Sequence, residues 1–116
     1  MLGYDINLKA LMDPTLELGI PGGNELLRFC DALLGQDRAV LDDARTVLEQ
    51  TLGPAAVSAA SIIAASFTKN DRIANATGIP AEPRMFEGAE DIRALLGLNT
   101  FRSAANTFRH LPEGTV

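Results

Sequence analysis

The feature that most constrains the fold is a long run without helix breakers in the middle of the chain. Between Pro54 and Gly78 there is no glycine and no further proline, and the first half of the run, AAVSAASIIAASF, is apolar or small at every position. Proline suits the first turn of a helix, where an N–H would have no intrahelical partner. The run therefore predicts one α-helix of about 24 residues, roughly 36 Å long. A helix that lacks a polar face must be surrounded by protein, so we expect it to be covered by its own neighbours or by another chain.

The apolar part of this run is too short to cross a membrane. It has 13 residues, 55–67, whereas a bilayer requires roughly 20. The start of the chain, which carries Asp5 and Lys9, has no basic segment followed by an apolar one, and this argues against a secretory signal. We therefore expect a cytoplasmic protein with no membrane partner.

Composition favours helices throughout the chain. Alanine and leucine occur 17 and 16 times, whereas valine and isoleucine occur 4 and 7 times. Alanine and unbranched side chains lose little rotamer freedom in a helix, while sheets draw on β-branched residues. We therefore predict an all-α fold, an antiparallel bundle of about six helices, in a single domain over residues 1–116.

Charge and cysteine content exclude several classes of protein. The formal net charge is −5, which opposes binding to a phosphate backbone, so we expect no nucleic-acid partner. Cys30 is the one cysteine in the sequence. A single cysteine excludes a disulfide framework and a zinc site built on several thiolates, and we predict no metal and no cofactor.

Capping residues and breakers divide the rest of the chain into shorter helices. Asn24 and Asp37 are predicted N-caps, and Asn99 is the predicted cap of the last helix. The segment 1–23 is otherwise poorly defined, while 84–110 contains the C-terminal helices. Besides the central helix, the expected helices are Tyr4–Met12, Glu25–Leu34, Arg38–Leu52, Gly88–Leu96 and Thr100–Arg109.

Three pieces of sequence carry a family resemblance. They are LLRFxDALL, a small-residue helix that runs into Phe67, Asn70 and Arg72, and the helix-closing ATGIP. Over residues 24–80 the chain resembles the second half of the alkylhydroperoxidase D-like, or carboxymuconolactone decarboxylase, superfamily. This resemblance implies an all-α core in which antiparallel helices form an obligate oligomer, so we expect a second copy of this chain as the partner.

The reactive element of that superfamily is missing. Redox-active members carry an ExxCxxH or CxxC helix, because a peroxidatic thiolate needs a base within hydrogen-bond reach. Here Glu25 lies five residues before Cys30, position 33 is leucine, and the one histidine is His110. The resemblance therefore implies a scaffold that lacks the catalytic motif and favours a non-catalytic protein.

Three alternatives to a non-catalytic protein stay open. The chain could be a hydroperoxide reductase that uses Cys30. It could be a cofactor-free enzyme of the decarboxylase type in which Arg72 holds a lactone-like carboxylate. It could also be an accessory subunit that docks on a separately encoded catalytic half.

Cys30 and His110 have simpler interpretations than a catalytic one. Cys30 falls on the apolar face of its helix, between Phe29 and Leu33, where a thiol acts as a small hydrophobe. His110 follows the last predicted helix, where an imidazole interacts favourably with the helix dipole. We therefore predict structural roles for both residues, with a nucleophilic Cys30 as the alternative.

The polar cluster 69–72 interrupts the apolar helix and is the most informative polar feature. Asn70 falls on the same helical stripe as Ile63 and Phe67, and we expect it and Arg72 to be buried. Buried polar groups need partners, for which Asp31, Asp42 and Asp43 are the candidates. The alternative is a pocket that binds a small carboxylate or a peroxide through Asn70, Arg72 and Cys30.

Overall fold

The computed structural model describes residues 3–114, and the first two and last two residues of the predicted domain lie outside this range. Within the described residues the backbone forms six α-helices and no β-strand. This confirms the predicted all-α class and the number of helices. The helices are α1 (Gly23–Leu34), α2 (Arg38–Leu52), α3 (Pro54–Thr77), α4 (Pro83–Gly88), α5 (Glu90–Leu96) and α6 (Ala105–Phe108).

The chain divides into two compact units, which are described separately. Unit 1 is Met1–Phe67 and unit 2 is Thr68–Val116, and α3 runs without a break through the boundary. A single domain is a unit that unfolds cooperatively, which is a property separate from compactness. The single domain over residues 1–116 therefore stays a prediction.

Unit 1 is built on a hairpin of α1 and α2. The short connection 35–37 makes the two helices antiparallel neighbours. Asp37 caps α2 as predicted, because its carboxylate accepts hydrogen bonds from the backbone N–H groups of Ala39 at 2.9 Å and Val40 at 3.2 Å. Gly53 follows the last residue of α2, as its sequence position indicates.

The core of unit 1 lies between this hairpin and the first half of α3. Phe29 and Leu48 are fully buried, and burial of side chains of this size stabilises a fold by roughly 1.5–3 kcal/mol each. Ala32, Ala44 and Ala60 complete the buried cluster. These small residues let the three helices approach closely around the two large side chains.

The start of α1 differs from the prediction. Gly22 occupies the N-cap position with φ 69°, and no side chain caps the helix. The predicted cap, Asn24, lies inside the first turn instead. Its side chain accepts a hydrogen bond from the Leu18 N–H at 2.9 Å and donates one to the Leu16 carbonyl at 2.7 Å. The predicted cap at Asn24 is therefore wrong, because this side chain ties the preceding segment to α1.

The predicted helix Tyr4–Met12 is wrong. Only a single 3₁₀ turn, Leu8–Leu11, forms there, and the Asn7 side chain caps it through the Lys9 N–H. The Asn7 N–H donates across to the Leu18 carbonyl at 2.9 Å. Because this pairing holds the backbone extended at Asn7, a helix cannot continue through it.

Unit 2 consists of short elements. The predicted helix Gly88–Leu96 begins instead as α4 at Pro83, and Ala89 then separates α4 from α5. The predicted helix Thr100–Arg109 is wrong over its first half, because Phe101 has an extended backbone with ψ 142°. Two 3₁₀ turns, Leu98–Thr100 and Arg102–Ala104, precede α6 there.

Arg93 connects the short elements of unit 2. Its guanidinium lies 3.5 Å from the centre of the Phe86 ring and donates to the Phe86 carbonyl at 3.2 Å and to the Asn99 side chain at 2.9 Å. Asn99, predicted as a helix cap, therefore serves as an acceptor for Arg93. The Phe86 ring also meets Phe108 edge-on at 6.0 Å. One arginine and two aromatic rings thus hold α4, α5 and α6 in contact.

Candidate functional site

The most distinctive surface of unit 1 is one face of α3, which we call the α3 stripe. Its members recur at helical spacing, and all of them are exposed. Ile62, Ile63 and Phe67 have 67%, 58% and 65% of their surface accessible. The full stripe is Ala55, Ala59, Ile62, Ile63, Ser66 and Phe67.

The opposite face of α3 covers the core of unit 1. Ala60 is buried there, and Val57 packs against the same cluster. The helix therefore turns its small residues inward and its largest apolar residues outward. This is the reverse of an ordinary amphipathic surface helix, whose outward face is polar.

The one polar member of the α3 stripe does not make the stripe hydrophilic. The Ser66 hydroxyl donates to the Ile62 carbonyl of its own helix at 2.8 Å. Its hydrogen is thereby already used, and the stripe contains no charged residue. Chemically the α3 stripe is an apolar surface.

The expectation that α3 is covered by its own neighbours is wrong. Ala60 is its one buried residue within the described chain, and the α3 stripe is open to solvent. Sequence could show that the helix needs cover on every side, but it could not show that the hairpin of α1 and α2 covers one face only. The second possibility, another chain, stays a prediction.

Asn70 and Arg72 are exposed, which contradicts their predicted burial. Neither side chain has a hydrogen bond or ion pair within residues 3–114. The supposed acidic partners are used elsewhere: Asp42 accepts from Arg45 at 2.7 Å, and Asp43 pairs with Arg28. The buried polar network is therefore wrong as a description of this chain, while binding of a small anion by Arg72 stays a prediction.

Cys30 is a half-buried free thiol that packs against the core of unit 1. Burial raises its pKa above the ordinary value of a thiol, and the negative charge of Asp31 raises the pKa further. A thiol of this kind is protonated at neutral pH, whereas the thiolate is the nucleophile. The environment thus fits the structural role better than the reactive one.

The three predicted binding residues do not form one site within either unit. Cys30 belongs to unit 1, and Asn70 and Arg72 belong to unit 2. His110 is exposed after the end of α6, where its backbone N–H donates to the Thr107 carbonyl at 3.0 Å. Among residues 3–114, no three histidine, cysteine or acidic side chains are grouped so that they could hold a metal ion.

Sequence reasoning missed a groove in unit 1. It has a volume of about 520 Å³ and lies between residues 10–14 and the outer sides of α1 and α2. Leu27, Val40 and Val47 contribute apolar surface to it, and Glu25 and Asp31 contribute carboxylates. No sequence signal indicates the groove, because it depends on where the non-helical segment before α1 folds back.

The chain has no match among family models, curated proteins or solved structures. In the described part of the chain, none of the helices has the length and apolar character that crossing a membrane requires. The superfamily resemblance therefore rests on the sequence pieces alone.

Proposed function

We propose that this chain is a self-assembling cytoplasmic protein with an alkylhydroperoxidase-like helical scaffold and without that superfamily's catalytic motif. In this proposal the α3 stripe packs against the same stripe of a second copy. The observation that carries it is the exposure of Ile62, Ile63 and Phe67 side by side on one helix. Adjacent large apolar side chains on a surface mark an interaction site.

The shape of the α3 stripe favours a helix as the covering element. Ala55, Ala59 and Ser66 are small and alternate along the helix with the three large residues. Ridges of large side chains can enter the grooves above small ones when two such helices cross. A stripe that carries both ridges and grooves is complementary to itself.

Self-association also agrees with the charge distribution. The chain has a net charge of −5, so two copies repel each other at long range. The α3 stripe is free of charge, so it is a surface on which two copies can meet without burying like charges. A twofold axis through the stripe would place each residue against the same patch of the second copy.

Catalysis through Cys30 is the less favoured alternative. The raised pKa of the thiol opposes formation of the thiolate, and Leu33 stands where the superfamily motif has histidine. We therefore expect no cysteine-dependent turnover of an organic hydroperoxide. Turnover by the wild type that is lost in Cys30→Ser would replace this proposal with an enzyme.

Sedimentation velocity tests the assembly. We expect the wild type to sediment as a dimer or larger species, and Ile63→Glu to sediment as a monomer because a charge would be buried in the interface. Met85→Glu is the matched control, since Met85 is comparably exposed at 70% but lies in unit 2. Circular dichroism confirms that both variants fold. A monomeric wild type, or equal loss of assembly in both variants, contradicts the proposal.

A further inference from the structure

The groove of unit 1 has an apolar wall on each side. Leu11 and Met12, from the segment before α1, are 44% and 53% exposed. Across from them, Leu27 belongs to α1, and Val40 and Val47 belong to α2. At about 520 Å³, the groove falls within the range of roughly 300–1,000 Å³ that small-molecule sites occupy.

The charges that line this groove are almost all negative. Glu25, Asp31 and Asp37 contribute carboxylates, and Arg28 contributes the one cation. The Arg28 guanidinium is already paired with Asp43 of α2. Glu25 and Asp31 have no ion pair within residues 3–114. An occupant therefore meets two uncompensated negative charges.

The carboxylates and the apolar wall are arranged on one side of α1. Leu27 and Asp31 are four residues apart, so they are neighbours on the helix surface. Asp37 is committed to the N-terminus of α2 through its two backbone hydrogen bonds. This leaves Glu25 and Asp31 as the carboxylates available to an occupant.

We infer that this groove binds a small amphipathic organic cation, an apolar body that carries one ammonium group. The apolar body lies against Leu27, Val40 and Val47, and the ammonium lies near Glu25 and Asp31. A carboxylate or a peroxide anion is disfavoured here, because the charges that face it have the same sign. This site is independent of the α3 stripe and of the proposed assembly.

Titration calorimetry with decyltrimethylammonium, below its micelle concentration, tests the inference. Decyl sulfate has the same apolar chain and an opposite charge, so it is the matched control probe. We expect saturable binding of the cation and much weaker binding of the anion. Added salt weakens cation binding, because the carboxylates are exposed and are screened.

Variants locate the charges that matter. We expect the double variant Glu25→Gln, Asp31→Asn to bind the cation about threefold to tenfold more weakly, as two exposed charge interactions are lost. Glu49→Gln, an exposed carboxylate of α2 that does not line the groove, is the control and should bind like the wild type. All three substitutions are isosteric, and circular dichroism verifies the fold.

Amide chemical shifts identify the surface that is used. We expect the cation to shift the amides of Leu27, Ala32 and Val40. Shifts confined to Ile62 and Ile63 would place the probe on the α3 stripe and overturn the inference. Equal affinity for decyl sulfate, an unchanged affinity in the double variant, or absence of saturable binding would also overturn it.

Discussion

The two units of this chain are stabilised in different ways. Unit 1 has a cluster of buried apolar residues, centred on Phe29 and Leu48, that joins three helices. Within the described residues of unit 2, the one buried apolar residue is Leu96. Its elements are instead joined by Arg93, which contacts an aromatic ring, a backbone carbonyl and an asparagine.

This difference sets how each unit responds to substitution. Burial of apolar surface is additive over many contacts, so unit 1 depends on volume and shape. Unit 2 depends on a few directional polar contacts, such as the Thr107 hydroxyl that accepts from the Ala81 N–H at 2.9 Å and the Asn106 amide that donates to Asn75 at 3.0 Å. Exposed interactions of this kind compete with water, so we expect unit 2 to open more readily than unit 1.

The largest effect is expected in the core of unit 1. Leu48→Ala leaves a cavity beside Phe29 and should lower the free energy of unfolding by about 2–5 kcal/mol. Leu34→Ala, on a side chain that is 61% exposed, is the control and should change it by less than about 1 kcal/mol. Urea unfolding followed by circular dichroism measures both. Similar losses in the two variants would show that unit 1 has no specific core.

A smaller effect is expected at the centre of unit 2. Arg93→Ala removes two hydrogen bonds and the contact with Phe86, and should cost about 1–3 kcal/mol. Amide hydrogen exchange in residues 83–108 should accelerate, while exchange in α1 and α2 should change less. Arg84→Ala, an exposed arginine of α4, is the control. Equal exchange rates in the Arg93 and Arg84 variants would show that Arg93 does not hold the unit.

A third substitution tests the turn that starts α1. Gly22 has φ 69°, and an added Cβ would lie 2.6–2.8 Å from atoms of the Leu52 side chain. Gly22→Ala should therefore destabilise unit 1 by about 1–2 kcal/mol. Gly88→Ala is the control, because Gly88 has no atom within 4 Å of an added Cβ and alanine favours a helix. Thermal unfolding compares the two, and an unchanged melting temperature for Gly22→Ala would contradict this explanation.

The smallest effect concerns pH. The hydrogen bond from Arg45 holds the pKa of Asp42 below its ordinary value of 3.8, with Arg38 adding to the shift. A carboxylate with a depressed folded-state pKa stabilises the fold above its unfolded pKa, and this contribution is lost as the pH falls through the folded value. Asp42→Asn should therefore lower the urea midpoint slightly at neutral pH and leave it unchanged in strong acid. Asp71→Asn, which removes an exposed carboxylate that has no ion pair in the described chain, should show no such difference.

Local signals in the sequence predicted the long helices well. Asp37 and Gly53 bound α2 as expected, and Pro54 begins α3, which ends at Thr77. Each of these signals acts within one helical turn, so no knowledge of the remaining chain is needed. The predicted fold class follows from such elements.

The incorrect predictions share a physical cause, which is interaction between distant parts of the sequence. Asn24 bonds to Leu16 and Leu18 and therefore does not cap its helix. Asn99 accepts from Arg93, six residues away. The groove has the same origin, since one of its walls is the segment before α1.

The predicted site residues show what helical periodicity determines. The period correctly places Asn70 on one stripe with Ile63 and Phe67, but that stripe faces solvent in this chain. Periodicity tells which residues share a face, and it does not tell which face is covered. Burial of Asn70 and Arg72 could therefore not be derived from spacing.

The central claim is that a second copy covers the α3 stripe, and distances between spin labels test it most directly. A nitroxide on Ser58→Cys in a Cys30→Ala background lies on α3 beside the stripe, and one on Gln50→Cys lies on the exposed side of α2. Because packed helices lie about 8–10 Å apart, two labels at position 58 should be about 20 Å apart or closer. We predict a strong dipolar signal at position 58 and a longer distance at position 50. Absence of a dipolar signal at position 58 would contradict the claim.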